Sequence, residues 1–302
     1  MRTEGIKSSM GAGEWALLIA LSVLWGGSFF FAEVALQQFA PLTIVTLRVT
    51  ISALVLCAFV LLARYPLPGS WRVWLAFLGL GVINNAIPFS LIVWGQSGIS
   101  SSLASILNAA TPIFTVIVAG LFLKDEPVTV AKIVGVLLGL CGVAILIGPE
   151  AVVGGREQLL YQLAVLGGGL AYAIAAVYAR RFAGMRLRPV VVAAGQLLAS
   201  SLVMWPLLLV VEGRVEWSAA APVWLSVVGL AVLSTAVAYV LYFRVLASSG
   251  ATNLLLVTLL IPVTATFLGV LFLDEALHWT HVAGIAVIAL GLSAIDGRLW
   301  RR

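Results

Sequence analysis

The sequence predicts an all-α integral membrane protein with ten transmembrane helices arranged as two inverted five-helix repeats. Three observations predict this fold: a very apolar composition, ten apolar blocks long enough to cross a bilayer, and motifs that recur between the two halves. Hydrophobic residues make up 62% of the 302 residues and charged residues only 10%. Soluble domains carry about a quarter charged residues, so the composition excludes an ordinary water-soluble protein.

A transmembrane helix needs roughly 20 mostly apolar residues, because it rises about 1.5 Å per residue through a hydrocarbon layer about 30 Å thick. Ten blocks of the sequence meet this requirement. In order they are Trp15 to Leu36, Leu42 to Ala63, Trp71 to Trp94, Ser101 to Leu123, Thr129 to Gly148, Gln158 to Ala179, Pro189 to Val211, Pro222 to Phe243, Thr252 to Leu273 and Trp279 to Ile295. The short connections leave no room for a soluble domain, so we expect function to lie within the membrane.

The placement of the cations predicts the orientation. With a cytoplasmic N-terminus, Arg156 and Arg214 are the only cations in the outer connections, and Arg48 lies inside the second block. The rest of the 17 Lys and Arg residues then face the cytoplasm, as the positive-inside rule requires. We therefore predict that both termini are cytoplasmic, and the composition rich in Ala, Gly, Val and Leu favours a bacterial inner membrane.

The two halves can be aligned with a nearly constant offset. The paired positions are Pro41 and Pro189, Arg48 and Gln196, Ser52 and Ser200, Pro112 and Pro262, and the acidic pairs Asp125-Glu126 and Asp274-Glu275. Each copy contains an odd number of spans, so the second copy must cross the bilayer in the opposite sense. The predicted units are residues 1–149 and 150–302.

These motifs carry a resemblance to a known family. The stretch Trp25-Gly26-Gly27-Ser28-Phe29, the pair Pro41 and Arg48, and the twice-repeated midspan proline and acidic pair resemble the EamA-type transporters of the drug/metabolite transporter superfamily. The chain is most similar to bacterial exporters of amino acids, including aromatic ones. The resemblance implies that spans 1, 3, 4, 6, 8 and 9 line a central cavity. One departure is Glu33, where a Lys is often found.

Polar groups near mid-depth must face protein or water, so they mark candidate binding residues. The predicted substrate-binding residues are Trp25, Ser28, Asn84, Asn85, Asn108, Pro112, Tyr172, Thr235, Tyr239, Thr258 and Pro262. The two prolines each remove an internal hydrogen bond, and the freed carbonyls would suit a substrate ammonium group. The alternative for these positions is helix packing through small residues and interhelical hydrogen bonds.

Arg48 is the one cation well inside a span, where a charge costs a few kcal/mol. Glu33 lies toward the same end of the preceding span and is the predicted partner in a structural ion pair. Binding of a substrate carboxylate is the alternative role for Arg48.

Several other classes of protein are excluded or disfavoured. No His lies at midspan to activate a nucleophile, so we expect neither an enzyme nor catalytic residues. His278 and His281 beside Asp274 and Glu275 resemble a zinc site only weakly, and no metal or cofactor is predicted. The basic residues lie between apolar blocks, so no nucleic-acid partner is expected. The expected partners are the lipid bilayer and a small-molecule substrate.

Spans 5 and 10 contain glycines but no polar group near the middle of the membrane. This pattern predicts that they serve as a scaffold or as a dimer contact, and the protein is expected to be a monomer or a homodimer. The sequence thus predicts a secondary transporter that exports small amphipathic metabolites, chiefly amino acids, by alternating access through a central uncharged cavity. Exporters of drugs, purines or other metabolites remain alternatives, as does a membrane scaffold subunit without transport activity.

Overall fold

The computed structural model describes residues 11–123, 129–147, 155–215, 217–254 and 257–296, which form ten helices. They are α1 Ala12–Leu36, α2 Pro41–Leu62, α3 Trp71–Gly81 continued by Val82–Ala86 and Ile87–Gln96, α4 Ser101–Asn108 continued by Thr111–Phe122, α5 Val130–Ile147, α6 Gly155–Ala179, α7 Pro189–Val211, α8 Ala221–Ala231 continued by Val232–Val237 and Ala238–Leu254, α9 Val257–Phe272 and α10 Trp279–Asp296. Seven spans have the length and apolar composition to cross a membrane, and three further apolar helices are shorter. The all-helical ten-span fold is confirmed.

Most helices coincide with the predicted blocks, but α8 does not end where the sequence predicts. We expected a connection after Phe243, whereas the helix Ala238–Leu254 runs on through it. Val245 and Leu254 are buried in the core, which explains why this stretch packs as helix. The predicted acidic pair Asp125-Glu126 and the predicted boundary between residues 149 and 150 lie outside the described residues.

The aligned helices α2 and α7 run in opposite directions. The side chain of Glu212, just after α7, contacts the backbone of Thr43 at the start of α2. Further along, the hydroxyls of Thr50 and Ser201 lie 2.7 Å apart. These contacts require an antiparallel pair, as an inverted repeat predicts.

Helices α5 and α10 pack closely against each other through glycines. A Cβ atom at Gly142 would lie 2.8 Å from the backbone nitrogen of Ile288. A Cβ at Gly291 would lie 2.6 Å from the carbonyl of Gly135, so neither position has room for a side chain. The glycines of these helices therefore serve an intramolecular scaffold, the first of the two roles that the sequence predicts.

The other eight helices form two groups of four, which we call lobe A (α1, α2, α8 and α9) and lobe B (α3, α4, α6 and α7). In lobe A, α1 packs along α8 and α9, and α2 packs on α8. In lobe B, α6 packs on α3 and α4, and α7 packs on α3. The lobes meet mainly where α2 contacts α7 and where α9 contacts α4.

Helix α1 contacts α9 at a point that only glycine allows. The hydroxyl of Thr264 donates a hydrogen bond to the Ser22 carbonyl at 2.9 Å and lies against Gly26. A Cβ at Gly26 would collide with this hydroxyl and would lie 2.9 Å from the backbone nitrogen of Ala265. At the adjacent Gly27, the nearest atom would be 3.8 Å away, which is an ordinary contact.

We therefore expect Gly26→Ala to destabilise the protein by about 1–3 kcal/mol, because the added methyl group overpacks the contact between α1 and α9. Gly27→Ala is the matched control and should leave the melting temperature in detergent unchanged or slightly raised, since Ala favours the helix. Equal melting temperatures for the two variants would contradict the packing described here.

Two glutamates join the lobes at one end of the bundle, which we call the acidic end. It is formed by residues 37–40, 97–100, 212–215, 217–220 and 273–278. Glu275, which follows α9, accepts hydrogen bonds from the Ser101 and Ser102 backbone nitrogens at 2.7 and 3.0 Å and from the Ser102 hydroxyl. Ser101 and Ser102 are the first two residues of α4. Carboxylates stabilise helix N-termini because they satisfy unpaired N–H groups and oppose the helix dipole.

Glu212 makes the corresponding contacts in the other direction. It follows α7 of lobe B, and it accepts hydrogen bonds from the Leu42 and Thr43 backbone nitrogens of lobe A at 2.8 and 3.0 Å. The Thr43 hydroxyl donates a third bond at 2.7 Å. Each lobe thus supplies one carboxylate that caps a helix of the other lobe.

Replacing Glu275 with Gln should lower the free energy of unfolding by about 1 kcal/mol, because the neutral amide loses the charge and one acceptor at the start of α4. The neighbouring Asp274 is exposed and provides a matched control. We expect Asp274→Asn to melt like the parent protein in detergent, and a similar loss in both variants would show that the cap contributes nothing specific.

Candidate functional site

Arg48 organises a polar cluster in the middle of lobe A. Its Nε donates a hydrogen bond to the Thr235 hydroxyl at 2.9 Å, and that hydroxyl donates to the Leu230 carbonyl at 2.9 Å. One turn further along α2, the Ser52 hydroxyl contacts the carbonyls of Arg48 and Ala231 at 2.6 and 2.8 Å. We call Arg48, Ser52 and Thr235 the Arg48 cluster.

A corresponding cluster lies in lobe B at the aligned positions. The Ser200 hydroxyl contacts the carbonyls of Gln196 and Gly81 at 2.7 and 2.9 Å, as Ser52 does in lobe A. The Asn84 amide donates to the Gln196 side chain at 3.0 Å, and the Asn85 amide donates to Ser200 at 3.2 Å. We call Gln196, Ser200, Asn84 and Asn85 the Gln196 cluster.

Each cluster is built around a π-helical turn. Val82–Ala86 interrupts α3 and Val232–Val237 interrupts α8, at equivalent places in the two repeats. A π turn widens the helix and changes the backbone hydrogen bonding, and such turns are frequent at functional sites. Carbonyls just before each turn accept the serine hydroxyls of the neighbouring helix, so the turns join α3 to α7 and α8 to α2.

Each cluster also contacts a residue of the opposite lobe. The Tyr239 hydroxyl of lobe A accepts a hydrogen bond from the Asn84 amide and donates one to the Asn85 side-chain oxygen, both at 3.2 Å. The guanidinium carbon of Arg48 lies 3.6 Å from the centre of the Phe89 ring of lobe B, a cation–π contact. Two different polar interactions therefore bridge the lobes at mid-depth.

The predicted ion pair between Arg48 and Glu33 is wrong. Glu33 instead accepts a hydrogen bond from the Gln96 side chain at 3.3 Å. The physical reason is depth, because Glu33 lies three residues from the end of α1 whereas Arg48 lies seven residues into α2, about 10 Å from its first residue. Arg48 forms no ion pair with any described carboxylate, and the predicted uncharged centre in fact contains a cation.

Aromatic rings from four helices surround this region. Tyr172 of α6 lies 6.4 Å from Phe89, centre to centre, and Phe89 is the ring that contacts the Arg48 guanidinium. Trp25 of α1 lies 5.7 Å from Tyr242 of α8. Phe89 is buried, whereas Trp25, Tyr172 and Tyr242 are partly buried, and all four place apolar faces beside the polar clusters.

Comparison with known proteins agrees with this architecture. The model of the EamA-like transporter family matches residues 13–148 and matches again over residues 159–295. The chain belongs to the EamA-like transporter family. EamA proteins are transporters rather than enzymes, and the two matches correspond to the two repeats seen in the helices.

Individual EamA relatives are distant but cover nearly the whole chain. An uncharacterized Bacillus subtilis transporter, YvbV, is 26% identical over 93% of this chain and 91% of its own length. An Escherichia coli K12 protein named "Probable amino-acid metabolite efflux pump" is 24% identical over 97% of this chain and 98% of its own length. A solved crystal structure superposes with a TM-score of 0.68 at 22% identity, covering 96% of this chain and 99% of that one.

Among the residues predicted for the site of this EamA transporter, Asn84, Asn85 and Tyr239 form one hydrogen-bonded group. Thr235 is hydrogen-bonded to Arg48, and Tyr172 packs near Phe89. Ser28 has a local role, since its hydroxyl donates to the Trp25 carbonyl at 2.5 Å.

The expectation of a carbonyl freed by Pro112 is wrong. Helix α4 is interrupted at Ala109 and Ala110, and the Thr111 hydroxyl donates to the Asn108 carbonyl at 2.7 Å. A neighbouring side chain therefore already satisfies the carbonyl that Pro112 cannot. Pro262 is buried inside α9, and Thr258 lies half-buried one turn before it.

Sequence reasoning missed Gln196, Ser52, Ser200 and Phe89 as members of the EamA site. The alignment of the repeats offered a signal for three of them, because it pairs Arg48 with Gln196 and Ser52 with Ser200. The alignment gave no signal for Phe89. Apolar spans commonly contain Phe, and only the structure shows that a cation lies on this ring.

Tyr239→Phe should lower the free energy of unfolding by about 1 kcal/mol, because it removes the hydroxyl that joins both asparagines to lobe A. Tyr242→Phe is the matched control, since the Tyr242 hydroxyl makes no hydrogen bond with a described residue. Thermal unfolding of the two purified variants in the same detergent tests this, and an equal effect of both changes would argue against the bridge.

Proposed function

We propose that this EamA-family transporter exports small amphipathic metabolites, amino acids including aromatic ones among them, by alternating access. One observation carries the proposal: each lobe holds a polar cluster at mid-depth, and each cluster contacts the opposite lobe beside aromatic rings. Polar groups are costly inside a membrane unless they serve a pathway or are satisfied internally.

The composition of this boundary suits an amphipathic molecule. The rings of Trp25, Phe89, Tyr172 and Tyr242 offer contact area for an apolar side chain. The two clusters offer hydrogen-bond donors and acceptors for a polar head group. A cationic drug fits less well, because Arg48 would repel it. The name of the Escherichia coli relative supports an amino-acid metabolite as the transported class.

The arrangement of contacts supports movement of one lobe against the other. At the acidic end, Glu212 and Glu275 each join the two lobes, so this end is closed. At mid-depth, the interlobe contacts include the Tyr239 hydrogen bonds, the Arg48–Phe89 contact and the hydrogen bonds of the Thr50 hydroxyl with α7. A substrate that entered between the clusters would exchange some of these contacts for its own, and release would follow opening of the acidic end.

We also propose that the acidic end faces away from the cytoplasm of a bacterial cell, with both termini cytoplasmic. Connections at the opposite end carry a group of cations that the cytoplasmic side of a membrane favours. They are Arg64, Arg72, Arg181, Arg186 and Arg188. The bacterial origin of the two relatives described above supports the inner membrane as the location.

The test is counterflow in proteoliposomes, which needs no knowledge of the energy source. Vesicles with the purified protein and loaded with unlabelled phenylalanine should transiently accumulate external labelled phenylalanine, because exchange through the transporter dilutes the label inside. Vesicles without protein, and protein vesicles loaded with sucrose, are the controls. Absence of counterflow with aromatic amino acids, aliphatic amino acids, purines and organic cations alike would favour a scaffold subunit.

A further inference from the structure

We infer that Arg48 anchors a carboxylate group of the transported molecule, so that the transporter accepts carboxylate-bearing metabolites and discriminates against their amides and amines. This inference rests on the proposed transport function and deepens it by naming the chemical group that the site selects. It is supported by the position of the Arg48 side chain, by its surroundings and by its unused hydrogen-bond donors.

The charge of Arg48 is uncompensated within the described part of the chain. The residue is 9% exposed and sits at mid-depth, where an isolated charge is costly. Its Nε donates to Thr235, and neither of its terminal nitrogens donates a hydrogen bond to a described residue. A buried guanidinium with two free donor groups is a site prepared for an anion.

Three described carboxylates near the ends of their helices are engaged elsewhere. Glu33 accepts a hydrogen bond from Gln96 and forms no ion pair with Arg48. Glu212 and Glu275 both cap helix N-termini at the acidic end. The polar neighbours that do surround Arg48 are hydroxyls, which are neutral at ordinary pH. The missing negative charge therefore has to come from outside the described chain, and a substrate that enters between the lobes can supply it.

The geometry also fits recognition of a planar carboxylate. The Thr235 hydroxyl fixes one edge of the guanidinium, and the Phe89 ring covers one face of it. What remains is the edge with the two terminal nitrogens. Arg binds carboxylates through two parallel hydrogen bonds, and a fixed orientation of the guanidinium reduces the entropy lost on binding. Phe89 belongs to lobe B, so the anchored group would lie at the boundary between the lobes.

The aligned position in the second repeat holds no cation, so the site has a single anchor for a carboxylate. Gln196 is neutral, and its side-chain oxygen already accepts a hydrogen bond from Asn84. Two clusters with the same serine contacts therefore hold one amide whose oxygen already has a partner and one cation without a counter-ion among the described residues. We infer that the site takes one carboxylate and that the rest of the substrate lies toward the aromatic rings and the Gln196 cluster.

The experiment compares carboxylates with analogues that lack the carboxylate, first by binding and then by transport. Thermal unfolding of the purified protein in detergent is measured with phenylalanine, 3-phenylpropanoate, phenylalaninamide and phenethylamine. The two carboxylates should raise the melting temperature, and the two compounds without one should not. In counterflow, unlabelled phenylalanine should inhibit uptake of label at about tenfold lower concentration than phenylalaninamide, because charge-assisted bidentate bonds are lost with the amide.

Variants test whether Arg48 causes the preference for the acid over the amide. Arg48→Gln, which installs the residue of the second repeat, should bring the ratio of inhibitory concentrations for amide and acid to about one, and Arg48→Lys should retain part of it. Gln196→Met is the matched control, because it alters the equivalent neutral position. It should keep the ratio even if the overall rate falls.

The possible results distinguish failure of the carboxylate anchor from failure of the proposed transport function. If counterflow occurs but acid and amide inhibit equally in the parent protein, the carboxylate anchor is overturned while transport stands. A folded Arg48→Gln protein that keeps the acid preference would also overturn it. If Arg48→Gln does not fold, the comparison of parent protein, Arg48→Lys and Gln196→Met still decides. If no compound shows counterflow, the proposed function fails, and the melting temperatures alone then support or refute the anchor.

Discussion

The requirement that shapes this protein is that polar groups within the hydrocarbon must find partners inside the chain. Ser52 and Ser200 show how it is met. Each hydroxyl bridges a carbonyl of its own helix and a carbonyl just before the π turn of a neighbouring helix. The same device, used once in each repeat, joins α2 to α8 and α7 to α3. The two lobes are assembled around these joints, and the side chains at the boundary depend on them for their positions.

Duplication gave two copies of one scaffold, and divergence at a few positions gave the copies different chemistry. The serines and the π turns are retained in both halves, whereas Arg48 is aligned with Gln196 and Asn85 with Thr235. The scaffold contacts are therefore the same in both repeats, whereas the charge of Arg48 is present in only one of them. A symmetric cradle with one cation is well suited to hold a molecule whose two ends differ, which is the property of an amphipathic metabolite.

Some features of the site were predictable because they depend on chain position alone. Asn84, Asn85, Thr235 and Tyr239 could be identified from polar side chains in the middle of apolar spans, since lipid does not tolerate them. The partner of Arg48 could not be predicted in this way. Glu33 is the described carboxylate nearest to Arg48 in sequence, but it lies closer to the end of its helix and accepts a hydrogen bond from Gln96 there. A hydroxyl and a ring from other helices contact Arg48 instead.

By itself, the sequence determined the membrane environment, the ten helices with most of their ends, and the two repeats, because hydrophobicity and helix length are local properties that the bilayer enforces. Only the tertiary structure decided which helices form each lobe, that α8 continues to Leu254, and that Glu212 and Glu275 cap helices of the opposite lobe. It also decided that the cation at mid-depth lies on Phe89 without a counter-ion among the described residues. These are contacts between residues more than a hundred positions apart in most cases, and apolar helices of similar composition carry no local signal that specifies them.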